Sequence, residues 1–159
     1  MISQKKHLIG ALAATVMGSS AMSVGAAEWS PTYLGCVFTE SAFSATDDIY
    51  PDHRNEERLK VGSTKFEMAF AAIDLSVQRA QLIGNQGSAQ ITARRGGFQS
   101  VVFMEWTPLG SVNLTTVLPP TKDGTIRAIA SRHIVEPLSG YMASQFLGTC
   151  KDRIGELPG

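Results

Sequence analysis

The chain has 159 residues, of which 43% are hydrophobic and 18% are charged, and its acidic and basic side chains are equal in number. It contains no run of clustered lysine and arginine, which a nucleic-acid-binding protein needs to replace the counterions released from phosphates. We therefore expect no nucleic-acid partner.

The N-terminal 27 residues have the pattern of a secretory signal peptide. Residues 5–7 are basic, Leu8 to Met17 form a short apolar run, and small residues at 24–27 precede Glu28. The apolar run is about half of the ~20 residues that a membrane-spanning helix needs. The pattern predicts a cleaved signal at 1–27, a periplasmic or secreted location, one domain at 28–159, and no stable membrane insertion after cleavage.

Cys36 and Cys150 are the only cysteines, and they lie near opposite ends of the predicted mature domain. An even number of cysteines in an exported protein favours a disulfide, since the compartment is oxidising. Two buried free thiols are the alternative. Neither cysteine has a second Cys or His at the spacing of metal ligands, so we expect no metal and no cofactor.

Short β-strands separated by glycine- and proline-containing turns are predicted along the whole mature domain. Such short connections make neighbouring strands pair antiparallel, which predicts an all-β meander of about seven to eight strands. Closure of this meander into a small barrel would bring the first and last strands together, and a Cys36–Cys150 bond would then join them. A β-sandwich is the alternative. The predicted strands are 33–42, 64–73, 79–84, 88–95, 98–106, 110–118, 125–133 and 141–150.

Two segments are harder to assign. Residues 66–83 have apolar residues at a helical spacing as well as at a strand spacing, and the flanking strand signals favour strands. Residues 44–62 are polar and without periodicity, which predicts a surface loop. This loop is rich in acidic side chains but lacks the spacing of a calcium loop, so we expect solvated carboxylates.

The hairpin of the sixth and seventh predicted strands has the clearest alternation. We expect a register that keeps the apolar sides together, because a slip of one residue would bury the polar set. This register pairs Leu114 with Ala130 and Asn113 with Ser131. It turns Leu114 inward and Asn113 outward, and it leaves Arg132 as a charged exception on the apolar side.

The polar side of this hairpin predicts a possible ligand or partner patch, made of Asn113, Thr115, Arg127, Ser131 and His133. Ser131 and His133 lie two residues apart on one strand, with Cβ atoms roughly 6.5–7 Å apart, which is awkward for a nucleophile and its base. We therefore expect no catalytic residue in this patch.

The strand at 98–106 is apolar on both sides, which indicates that something covers its outer face. Glu105 is the exception within it. It could be a buried acid with a raised pKa, or it could be paired with Arg94, Arg95 or Arg132.

Several short strings in the C-terminal half resemble small, uncharacterised exported β-rich proteins of Gram-negative bacteria. The resemblance covers roughly residues 80–150. It implies an exported β fold, and since that group has no assigned activity it implies no catalytic residue. The strings are Phe103-Met104-Glu105, Asn113-Leu114-Thr115-Thr116, Ser131-Arg132-His133 and Ser144-Gln145-Phe146-Leu147-Gly148-Thr149-Cys150.

These observations predict a non-enzymatic exported β domain that binds a small apolar ligand or an envelope protein. A small periplasmic hydrolase using His133 and a structural envelope protein are the alternatives. A barrel interior filled by side chains would weaken the small-ligand hypothesis, and His133 exposed on a flat sheet would weaken the hydrolase hypothesis.

Overall fold

The structure is a computed structural model that describes residues 28–46, 58–85, 87–136 and 140–153. The predicted signal peptide at 1–27 and the acidic stretch at 47–57 lie outside the described residues. The described chain forms eight strands: β1 (Leu34–Thr46), β2 (Arg58–Asp74), β3 (Arg79–Gly84), β4 (Gly87–Arg95), β5 (Val101–Trp106), β6 (Val112–Val117), β7 (Ile126–Glu136) and β8 (Gly140–Lys151).

The eight strands close into a barrel in which each strand pairs antiparallel with its neighbour in sequence. β1 and β8 complete the circle through a ladder that runs from Gly35 opposite Lys151 to Thr46 opposite Tyr141. The prediction of an antiparallel all-β meander is confirmed, and the barrel is formed rather than the sandwich. No helix among the described residues is long and apolar enough to cross a membrane.

Both uncertain segments contribute strands. Residues 66–83 form the end of β2, a turn at 75–78 and most of β3, which confirms the strand interpretation. Asp74 organises this turn, because its Oδ1 accepts hydrogen bonds from the Ser76 hydroxyl (2.6 Å) and the Ser76 backbone N–H (2.9 Å). Residues 44–46 and 58–62, which the sequence predicted to be loop, extend β1 and β2.

The disulfide joins the first and last strands as predicted. Cys36 and Cys150 lie directly opposite each other in the ladder between β1 and β8, and both side chains are buried. They are separated by 114 residues in sequence. The bond therefore crosses the seam at which the barrel closes.

Aromatic side chains fill the centre of the barrel. The rings of Phe70 and Phe103 stack with their centroids 3.8 Å apart, and those of Phe38 and Phe66 stack at 4.7 Å. Alternate residues of each strand point inward, which is the period of two that a closed sheet imposes. The apolar core is thus continuous from β1 through β5.

The segment before β1 packs against one end of the barrel, which we call the lower end. Trp29 packs on the core, and its backbone carbonyl accepts a hydrogen bond from Arg95. Arg95 also forms an ion pair with Glu28, with 3.0 Å between Nε and Oε1. The upper end is the opposite one, where β5 ends and β6 begins.

The register predicted for the hairpin of β6 and β7 is wrong by one residue. Leu114 lies opposite Ser131, and Asn113 lies opposite Arg132. The side chains of β7 that point inward are the predicted ones, including Arg132. In β6, by contrast, the inward and outward side chains are exchanged relative to the prediction. Asn113 consequently points into the barrel, whereas Leu114 lies on the outer surface with 38% of its area exposed.

The outer face of β5 carries Val102, Met104 and Trp106, so this strand is apolar on both sides as the sequence indicated. Trp106 is 67% exposed. The sequence predicted that another part of the protein covers the outer face of this strand. No described residue covers that face at Trp106.

Candidate functional site

Four polar side chains occupy one cross-strand row inside the upper half of the barrel. Glu105 of β5 lies opposite Asn113 of β6, Asn113 lies opposite Arg132 of β7, and Arg132 lies opposite Ser144 of β8. Residues directly opposite in an antiparallel pair point to the same face of the sheet. We call Glu105, Asn113, Arg132 and Ser144 the polar row.

The first two members of the polar row are joined by a hydrogen bond. Asn113 Nδ2 donates to Glu105 Oε2 at 2.7 Å. A hydrogen bond to a charged acceptor is roughly twice as strong as one between neutral groups. This bond satisfies one oxygen of the Glu105 carboxylate inside the barrel, where Asn113 also points.

Arg132 carries the positive charge of the row. Burial lowers the pKa of its guanidinium, and the negative charge of Glu105 opposes that shift. The other two arginines that the sequence offered as partners of Glu105 are engaged elsewhere: Arg95 pairs with Glu28, and Arg94 Nε donates to Gln78 Oε1 at 2.7 Å. Of the three arginines, Arg132 is thus the one on which the charge of Glu105 acts, without a direct ion pair among the described residues.

Two phenylalanine rings hold the Arg132 guanidinium in place. Its central carbon lies 4.7 Å from the ring centroid of Phe66 and 5.2 Å from that of Phe146. These two rings are themselves in edge-to-face contact at 4.8 Å. Both distances fall within the ~6 Å range of a cation–π interaction, which stabilises the cation without an anionic partner.

Beside the polar row lies a cavity of about 50 Å³, which is partly open to solvent. A site for one water needs roughly 10–15 Å³ by this measure, so the cavity holds about four water-sized groups. Its walls combine apolar and polar side chains: Met68, Phe70, Leu82, Ile91, Phe103, Glu105, Asn113, Thr115 and Arg132. The barrel interior is therefore well filled but not completely filled.

Ser144 is the most buried member of the polar row, with 5% of its area exposed. Among the described residues, its Oγ has no hydrogen-bond partner. Buried hydroxyl groups are nearly always hydrogen-bonded, because desolvating one without a partner costs about 1–3 kcal/mol. An unsatisfied hydroxyl directly across the strand pair from a half-buried arginine indicates a place where a further polar group fits.

The structure places the five residues of the predicted patch on two faces of the barrel. Asn113 and Thr115 point inward and line the cavity. Arg127, Ser131 and His133 alternate with the inward residues of β7 and lie on the outer side. The five side chains do not share one surface, because the register that would have joined them is displaced by one residue.

His133 is exposed on the outer face, between Val112 of β6 and Ala143 of β8. A catalytic histidine needs a cleft and a polar partner for its ring nitrogens. Its two cross-strand neighbours, Val112 and Ala143, are apolar. His133 is thus exposed on a strand face in the described part of the chain, which is the arrangement that weakens the hydrolase alternative.

Within the described ranges, no three His, Cys, Asp or Glu side chains are grouped closely enough to hold a metal ion. The acidic residues of the predicted loop, from Asp47 to Glu57, lie outside these ranges.

Part of the site was visible in the sequence and part was not. Arg132 interrupts an apolar alternation, and Glu105 interrupts an apolar strand, so both were detectable as exceptions. Ser144, Phe66 and Phe146 carried no such signal, since a serine or a phenylalanine in a strand is unremarkable. Closure of the sheet brings Phe66 of β2 next to Arg132, whereas Ser144 and Phe146 lie near it through the register of the β7–β8 pair.

Comparison with known proteins does not assign the chain: no family model matches it, and no match is found among curated proteins or solved structures.

Proposed function

We propose that this protein is an exported, non-enzymatic binding barrel that takes the polar end of a small ligand into the cavity beside the polar row. The observation that carries this proposal is the half-buried Arg132, held by two aromatic rings at the wall of an unfilled cavity. A mostly apolar pocket with a few convergent polar groups is the usual form of a small-molecule site.

The chemistry of the cavity lining changes the kind of ligand that we expect from the sequence. Five of its nine lining residues are apolar and four are polar, so a purely apolar ligand would leave Glu105 and Arg132 facing hydrocarbon. Burying a charge without a polar partner is costly. A ligand with a polar head and a short apolar part fits this lining better than the apolar ligand first expected.

A cavity-filling substitution tests this proposal. Leu82→Phe adds a ring at the wall of the cavity, whereas Ile83→Phe places the same ring on the outer surface of the same strand. We expect small amphiphilic fragments to bind the wild type and the Ile83→Phe variant, and to lose binding to the Leu82→Phe variant, in ligand-observed NMR. Equal binding to both variants, or no binding to the wild type, would contradict the proposal.

Export is supported by the disulfide, since such bonds persist in oxidising compartments. Mass spectrometry of protein purified from the native cell envelope measures the N-terminus and the Cys36–Cys150 bond together. We expect a chain that begins at Glu28. A chain that retains residues 1–27 and has reduced cysteines would contradict export to the periplasm or the medium.

A second candidate function, contact with a protein of the cell envelope, is favoured by the apolar outer surface of β5 to β8. Trp106, Leu114, Ile129 and Leu147 are exposed there. A photo-crosslinking residue at position 106 should give a discrete adduct in the envelope, whereas one at Gln81, an outward polar position on β3, should not. Adducts from both positions, or from neither, would argue against this surface as a contact.

A further inference from the structure

The Arg132 guanidinium has hydrogen-bonding capacity that the described residues leave unused. A guanidinium carries five N–H donors and no acceptor. Phe66 and Phe146 contact it as aromatic rings, and the Glu105 Oε2 atom accepts from Asn113. Across the described ranges, no hydrogen bond or ion pair from Arg132 to a protein acceptor is formed. Since Arg132 lines the cavity, donors that no described residue uses can meet a group bound there.

Ser144 supplies a further donor in the same cross-strand row, directly opposite Arg132 and outside the lining of the cavity. Its side chain is 95% buried, and its Oγ has no hydrogen-bond partner among the described residues. A hydroxyl group can donate to an anionic oxygen. An incoming group that accepts from Arg132 and Ser144 together would satisfy both side chains at once.

We infer that Arg132 and Ser144 form a subsite for the carboxylate of a small organic acid, and this inference rests on the proposed ligand-binding function. Carboxylate oxygens match the fork of a guanidinium, which gives two parallel hydrogen bonds. The third acceptor position then receives the Ser144 hydroxyl. No bond is made or broken, and the subsite only binds.

Charge and size restrict the anion further. Glu105 lies in the same row, so a carboxylate leaves one uncompensated negative charge beside Arg132, whereas a dianion such as phosphate would leave two in a partly buried site. A cavity of about 50 Å³ accommodates a carboxylate and one or two carbons. The rest of the acid extends along the apolar wall formed by Met68 and Leu82.

The test measures binding of butyrate and of butyramide to the oxidised protein by titration calorimetry and by protein-observed NMR. Butyramide has the size of butyrate without its charge. We expect butyrate to bind at least tenfold more tightly than butyramide, and inorganic phosphate to bind more weakly than butyrate. Equal affinity for butyrate and butyramide would overturn the carboxylate assignment.

Substitutions identify the residues responsible. Arg132→Met should weaken butyrate binding by about 10- to 100-fold, the usual effect of losing a charge-assisted pair of hydrogen bonds. Arg127→Met is the matched control, since Arg127 lies on the outer face of the same strand, and it should leave binding unchanged. Ser144→Ala should weaken binding a few-fold, whereas the outer-face variant Ser131→Ala should not.

Two more variants keep the test decisive. If Arg132→Met fails to fold, Arg132→Lys retains the charge without the planar fork and should still weaken butyrate binding about tenfold. Glu105→Gln removes the neighbouring negative charge and should tighten butyrate binding a few-fold while leaving butyramide binding unchanged. Weaker butyrate binding in folded Glu105→Gln would contradict the assigned charge arrangement.

The outcomes separate this inference from the proposed function. Butyramide that binds in the cavity as tightly as butyrate supports a ligand-binding barrel but overturns the carboxylate subsite. No binding of either compound to the wild type contradicts both. A short peptide with a free C-terminal carboxylate, compared with its C-terminal amide and with butyrate, distinguishes a peptide terminus from a free acid as the source of the group.

Discussion

Loss of the disulfide should remove a large part of the stability of this barrel. Cys36 and Cys150 are 114 residues apart, so the bond closes most of the described chain into one loop. The chain-entropy treatment of a loop of this length gives about 4.8 kcal/mol of stabilisation at 25 °C through restriction of the unfolded chain. Total stabilities of single domains are about 5–15 kcal/mol.

The folded state itself should change little on reduction. The ladder between β1 and β8 continues well beyond the two cysteines, from Gly35 to Thr46, and it closes the barrel without the sulfur–sulfur bond. The loss should therefore come mainly from the unfolded state, which becomes more expanded when the cross-link is absent. This predicts a steeper dependence of the unfolding free energy on denaturant for the reduced protein.

Guanidinium denaturation of the oxidised and reduced wild type measures this difference, with circular dichroism as the signal. The reduced wild type retains both sulfur atoms and so isolates the cross-link. The Cys36→Ala/Cys150→Ala variant adds the cost of two small cavities and should be less stable still. A difference below about 1 kcal/mol between oxidised and reduced wild type would refute this explanation of how the bond stabilises the fold.

Two further predictions concern single side chains. Gly148→Ala should destabilise the barrel by about 1–3 kcal/mol in the same denaturation assay, because the added Cβ would lie 2.8 Å from the Cα of Phe38. Gly62→Ala is the control: its added Cβ would have no atom within 4 Å, so it should change stability by less than about 0.5 kcal/mol. The Ser76 hydroxyl, followed by the neighbouring backbone N–H groups, holds the pKa of Asp74 below its usual range. A carboxyl group with a depressed pKa stabilises the fold at pH values above its unfolded-state pKa, and this stabilisation is lost as the pH falls through its folded-state pKa. Ser76→Ala should therefore raise the folded-state pKa of Asp74 and move the loss of stability to higher pH. Carboxyl ¹³C NMR titration measures the shift, and an unchanged Asp74 titration would contradict the assigned cause.

The architecture could be predicted from local patterns. Glycine- and proline-rich turns divide the domain into short segments, and short turns between strands leave antiparallel pairing as the available arrangement. The even pair of cysteines near the two ends then indicated which strands meet. All eight strands were expected near their observed positions, and the largest differences are the extensions of β1 and β2 into the predicted loop.

The orientation of β6 could not be predicted in the same way. Both of its faces mix apolar and polar residues, so alternation favoured placing Leu114 inside and Asn113 outside. In the structure Asn113 points inward because it donates to Glu105 and stands beside Arg132, two residues from other strands. Since a one-residue slip exchanges the two faces of a strand, this long-range contact decides the orientation of every β6 side chain.

The sequence by itself determined the strand order, the antiparallel pairing and the disulfide, because turns and alternation act between neighbours along the chain. Only the tertiary structure decided that Arg132 lies between Phe66 and Phe146 and beside Ser144. Phe66 belongs to β2, and it meets Arg132 of β7 and Phe146 of β8 only because the sheet closes on itself. Ser144 lies opposite Arg132 through the register of the β7–β8 pair. The candidate binding site therefore depends on closure and on register, which bring together side chains that no local pattern relates.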